Sequence, residues 1–327
     1  MGRSRAGAKR LSGATDHPTA AVSGPEVAPH EDRAALGLWA VMTLFLASSA
    51  ILTRYCAMPA ASIGFWRVTG ASLVLSPWWL MTARRVRPER LVTPGALLTG
   101  AFLGVHFASW AWSLLNARVA NAALFIALQP AVTPWLGRWM VGDRLSRQGI
   151  AGTVLACAGM AWVLGGQALF TPDQIPGSLM ALFSMLCCAV YLTLGRRHRA
   201  REHVALFTVP VYVTAAAVQA LAALLIDRGL ALPSAPGPAA ALAGLVLLPT
   251  VVGHTMALYL VKRVSAHTVA LSVPVQFVAV AAAGTLLFGE WPSAWFYPGA
   301  AVAIAGVLAA IAAPPAPPEG PPGAAPG

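Results

Sequence analysis

Seven side chains able to do polar chemistry stand in stretches of sequence that are otherwise apolar: Arg67, His106, Trp110, Asn121, Gln129, His254 and Gln276. Inside a bilayer a guanidinium costs about 2.5–3.5 kcal/mol on insertion scales, so Arg67 is expected to be sheltered and paired. Its donor fork suits a carboxylate or another anionic group of a substrate. The structural alternatives are bonds to backbone carbonyls or helix ends, and snorkelling toward the outer surface. His106 shares a helical face with Ser109, Trp110, Ser113 and Asn116, and His254 shares one with Thr250, beside Pro249. An imidazole, with an unperturbed pKa of about 6.5, suits a coupling proton as well as a substrate contact. A neutral ring bonded between helices explains it too. Asn121, Phe125 and Gln129 form one stripe; Thr268, Ser272 and Gln276 form another. Two glutamines placed alike would read a zwitterionic or amide-bearing ligand, or serve packing. Asp143 and Glu290 fall just before helix starts, where a carboxylate complements the helix dipole or gates a pathway.

The elements that must position these groups follow from composition. Of 327 residues 57% are hydrophobic and 10% charged, against about 25% charged in a soluble domain. That surplus of apolar surface belongs in lipid. A bilayer core about 30 Å thick needs about 20 apolar residues per helix. Ten windows qualify, near 35–53, 61–82, 95–115, 119–137, 149–166, 177–195, 204–226, 239–261, 268–288 and 294–313. Arg67 is the one formal charge among them. Residues 1–34, polar and basic, and residues 314–327, rich in Pro and Gly, are expected to be disordered tails. The first apolar run is of spanning length, which argues against a cleaved signal peptide. Cys56, Cys157, Cys187 and Cys188 have neither disulfide nor metal-ligand spacing. No phosphate-cradling loop, zinc spacing or nucleophile elbow is present, so neither a cofactor, a metal nor an enzymatic activity is expected. The net charge of +11 is spread between apolar runs, which argues against nucleic acid.

With the N-terminus inside, eighteen of the 22 Lys and Arg fall in inner segments, and three (Arg54, Arg118 and Arg228) fall outside. The positive-inside rule therefore predicts that both termini are cytoplasmic. A shift of 147 residues lays Gly142-Asp143 on Gly289-Glu290, Gln129 on Gln276, Gly152 on Gly299 and Gly159 on Gly306. Each half, 35–166 and 177–313, holds five windows. Because five is odd, the halves enter the membrane in opposite senses. The expected fold is thus an all-α polytopic membrane protein of ten transmembrane helices in two inverted five-helix repeats. Such repeats build secondary transporters with a site near the midplane.

The stretches FWRVTGASLVL (65–75), ALQPAVTPWLGRWMVGDRLS (127–146) and VALSVPVQFVAVAAAGTLLFGE (269–290) carry a resemblance to the EamA-type branch of the drug/metabolite transporter superfamily. It covers about residues 35–313. Asp143 departs from the glutamate usual in that pattern, and Phe277 stands where the shift from Pro130 would set a proline, with Pro274 three residues earlier. The resemblance implies secondary transport of small metabolites, often outward, across a bacterial inner membrane. Arg67 favours amino-acid-like or other carboxylate-bearing substrates. Its partners would be that substrate, the lipid bilayer and a coupling proton. Ten spans suffice for a self-contained pathway, and the oligomeric state is left open. A membrane-embedded enzyme would want clustered acids at one membrane face, and a non-transporting scaffold a large partner surface; neither is visible.

Overall fold

A chain in lipid must satisfy its own backbone N–H and C=O groups, and a helix does so within one segment. The computed structural model describes residues 33–117, 119–165, 171–199, 202–288 and 291–314, and among these every regular element is helical. Most of both expected tails, together with Arg118 and Glu290, lie outside the described residues.

The helices are α1 (Arg33–Tyr55), α2 (Ala60–Ala83), α3 (Pro94–Asn116), α4 (Val119–Ile126), α5 (Gln129–Val141), α6 (Arg147–Gly165) and α7 (Ile175–Arg199) in the first stretch of chain. There follow α8 (Val204–Ala222), α9 (Pro236–Leu245), α10 (Thr255–Leu260), α11 (Ala266–Ala270), α12 (Ser272–Phe288) and α13 (Phe296–Ile311). They fall into ten rods. α4 runs on into α5, and α11 into α12. A π-helical segment, Ala223–Asp227, extends α8, and another, Val246–His254, joins α9 to α10. Five stretches are long and apolar enough to cross a membrane by themselves: Ala34–Tyr55, Pro88–Asn116, Ile175–Arg199, Val204–Asp227 and Pro236–Leu260. The others are interrupted, shorter, or carry polar groups such as Arg67 in α2.

The interruptions have a common cause. Proline has no N–H to give the carbonyl four residues earlier, and its ring crowds that carbonyl. Pro130 opens α5 after the break at residues 127–128, and Pro274 follows the break at Leu271 by three residues. Pro249 sits inside the π-helical segment of the eighth rod. The fourth and ninth rods, which correspond under the repeat shift, are therefore both broken, although their prolines are not in register.

Packing runs mainly between the halves and comes in symmetric pairs. α3 lies on α7 much as the rod 236–260 lies on α1; α2 packs on α8, and α6 on α13. The last pair approaches closest. A Cβ built on Gly159 would strike the backbone of Ala303, and one on Gly306 would strike that of Ala156. Glycine at these points is what lets the two backbones touch. The largest cluster of buried residues draws on both halves, with Phe107, Tyr191, Phe207, Tyr212 and Leu258 among its members.

Candidate functional site

Between the halves lies a cavity of about 120 Å³. Of the seven predicted residues it gathers six: Arg67 from α2, His106 and Trp110 from α3, Gln129 from the start of α5, His254 from the π-helical segment and Gln276 from α12. Asn121 is not among the lining residues. It is fully buried, and its amide donates to the Ser178 hydroxyl at 3.0 Å, joining α4 to α7. Asn116, placed on the His106 face by helical spacing, turns out to be exposed and bonds the Trp112 carbonyl.

Arg67 is 2% exposed, which rules out snorkelling. Its Nε donates to the Thr250 hydroxyl at 2.6 Å and its Nη1 to the Ser49 hydroxyl at 3.3 Å. Thr250 in turn donates to the Leu245 carbonyl, five residues back, across the π-helical turn. The guanidinium lies over the Phe107 ring, 3.9 Å from its centre, a stacking that supports a cation from one face. Two of the five N–H donors of a guanidinium are thus used, and Nη2 has no partner. Among the described residues no acid lines the cavity.

The two histidines meet in the cavity, although they are one residue out of register under the repeat shift, with ring centres 6.5 Å apart. The Ser184 hydroxyl donates to the His106 carbonyl. The Nδ1–H of His106 donates to Ser184 in return, whose carbonyl and hydroxyl oxygens lie 3.0 Å and 2.8 Å away. His254 stands edge-on to Phe107 at 4.9 Å, and its Nδ1, like the Tyr191 hydroxyl, is buried without a partner. Gln276 donates to the Ser272 hydroxyl at 2.9 Å. The helical N-termini of α5 and α12 open beside the cavity at Gln129 and Ser272, and a helix N-terminus carries a partial positive charge.

Asp143 is nowhere near this cavity. Gly142, at φ +77°, ends α5 in the left-handed region that glycine adopts most readily. The turn leaves Asp143 against Arg196 of α7, with contacts of 2.5 and 2.8 Å to Nε and Nη2. Arg196 also donates to the Val261 and Val264 carbonyls. At the start of α6 it is Ser146 that accepts from the Gly149 N–H. Arg196 thus ties three segments together. Glu290 lies outside the described residues.

Nearby, buried His267 bridges the halves. Thr153 donates to the Gly149 carbonyl, so its oxygen accepts from Nε2–H of His267 at 3.0 Å; Nδ1 lies 3.3 Å from the Thr133 hydroxyl. Sequence reasoning missed His267, Ser49, Phe107 and the partner of Asp143. Nothing in their local sequence signals them, since each acquires its partner only from a helix distant in the chain. At the same end Thr93 donates to Glu202, whose carboxyl burial pushes above its usual range.

A two-repeat helical bundle with a cavity between its halves, apolar but for a few polar groups, fits a class of membrane transport proteins. This chain belongs to the EamA-like transporter family, whose model matches it twice, over residues 34–165 and 175–312; it is an integral membrane protein and a transporter of small molecules. It is similar to the uncharacterized protein PA1977 of Pseudomonas aeruginosa, at 29% identity over 285 residues, covering 85% of this chain and 94% of that one. It also shares its fold with a protein of known crystal structure at a TM-score of 0.73 and 22% identity, covering 86% of this chain and 98% of that one.

Proposed function

We propose that the protein exports small carboxylate-bearing metabolites, amino-acid-like compounds among them, by alternating access at the interface of its repeats. The carrying observation is Arg67, a buried guanidinium with unused donors on a cavity whose described lining holds no acid. A buried charge left unpaired is costly, and an anionic ligand supplies the missing counter-charge through charge-assisted hydrogen bonds.

In this reading both termini are cytoplasmic and the membrane is a bacterial inner membrane, as the distribution of Lys and Arg favours. The Asp143–Arg196 pair and the His267 bridge then lie on the cytoplasmic side, where they join the halves and gate that end. The proton that couples transport is carried by His106 or His254, the titratable pair facing each other at the site.

Purified protein in liposomes, offered labelled amino acids, nucleosides and vitamins with and without an imposed pH gradient, tests this. We expect uptake of carboxylate-bearing compounds alone, dependence on the gradient, and at least about a tenfold loss in Arg67→Gln, the loss of one charge-assisted pair. Equal uptake by the variant would make Arg67 structural.

A further inference from the structure

The cavity is one-sided in charge. Arg67 and the N-termini of α5 and α12 face it, and among the described residues nothing on it carries a negative charge. Among the described residues no carboxylate lines it, and none of the eleven Asp and Glu of the sequence lies inside the ten apolar windows. Of the acids that the structure describes, Asp143 pairs with Arg196, Asp227 accepts from Ser62 and Glu202 from Thr93, Glu89 and Asp173 are exposed, and none of the five lines the cavity. An α-ammonium group brought in beside Arg67 would meet a like charge and find no counter-ion. The amide oxygens of Gln129 and Gln276 offset this only in part, since a neutral acceptor binds a cation more weakly than a carboxylate does.

Away from Arg67 the wall is apolar, formed by Trp110, Ile126, Val273, Phe277 and Val280. At about 120 Å³ the space is a little smaller than the cavity of about 150 Å³ that takes a benzene ring, which limits the apolar body to about five or six heavy atoms.

We infer that the cavity takes small apolar monocarboxylates that carry no ammonium group, in preference to the zwitterionic amino acids of the same shape. The inference rests on the carboxylate reading of Arg67 given above and narrows it: Arg67 holds the carboxylate, and the absence of any acid rejects the amine. Against a largely apolar wall, an unpaired cation is rejected more strongly than a missing methylene.

Four compounds with one side chain test it: 4-methylpentanoate, L-leucine, 4-methylpentanamide and L-leucinamide. They differ only in carboxylate against amide and in the presence of the amine. Each is titrated calorimetrically into the purified full-length protein in detergent, with empty micelles and Arg67→Gln as references, the variant's folding being checked by thermal unfolding. We expect 4-methylpentanoate to bind at least about tenfold more tightly than L-leucine, both amides to bind more weakly still, and Arg67→Gln to erase the advantage of the acid over its amide. If L-leucine binds as well as 4-methylpentanoate and both outdo their amides, this inference is overturned while the carboxylate reading stands. If the acids do no better than their amides, the carboxylate reading itself falls. If none of the four binds to folded protein, the inference is likewise overturned.

Discussion

At the scale of the residue, Arg67 is held by a short chain of contacts that crosses from one half to the other. Thr250 takes its Nε proton and passes its own to Leu245, Ser49 takes one from Nη1, and Phe107 covers a face. The orientation of the fork therefore depends on a threonine 183 positions away in sequence. Replacing Thr250 by Val keeps the volume and removes the acceptor, leaving a buried charged donor unpaired. We expect a loss of about 1–3 kcal/mol of stability and weaker carboxylate uptake than wild type, read by thermal unfolding in detergent and by liposome flux. An unchanged protein would show that Arg67 does not need this bond. Much at this scale was legible beforehand. An arginine in an apolar run announces itself, and so do histidines and glutamines. Their acceptors did not: Ser49 and Thr250 are ordinary residues of apolar helices until the fold brings them to the guanidinium.

At the scale of the element, broken rods make the site. The interruptions ahead of Pro130 and Pro274 set helix starts at the cavity wall, and the π-helical turn at Pro249 offsets Thr250 and His254 from regular α geometry. Prolines in apolar runs mark such breaks in the sequence, but not which cavity they serve. The bidentate pair of Asp143 and Arg196 belongs to this scale, since it fastens the α5–α6 turn to α7 and to the α10–α11 turn. Side-chain exposures of 10% and 19% set it apart from a surface pair, whose worth is about 0–1 kcal/mol. Asp143→Asn and Arg196→Gln should each destabilise the protein, Arg196→Gln more because two carbonyls also lose their donor. The double variant should cost less than the sum. Strict additivity in thermal unfolding would mean that the two side chains are not coupled.

At the scale of the whole molecule, the halves are interleaved, and their joint surface is the core. The contact of α6 with α13 has glycine on both sides, so a side chain there would force the backbones apart. Gly306→Val should therefore lower the yield of folded protein and its unfolding temperature sharply, while Ala305→Val, at an exposed position on the same helix, should not. Equal behaviour of the two in size-exclusion chromatography and thermal unfolding would refute a close approach. The internal repeat, visible as Gly142-Asp143 over Gly289-Glu290 and Gly159 over Gly306, already implied that corresponding helices would be placed alike.

By itself the sequence determined the solvent, the helical class, the two-fold repetition and the scarcity of charge in the interior, because these depend on composition and period, which are local properties. Only the tertiary structure decided which polar groups meet. It gathered Arg67, His106, His254, Gln129 and Gln276 on one cavity, spent Asn121 on Ser178, and sent Asp143 to Arg196. The reason is physical: in a bilayer a buried polar atom takes whichever partner the packing of distant helices brings within about 3 Å, and that distance is set by the crossing of rods far apart in the chain.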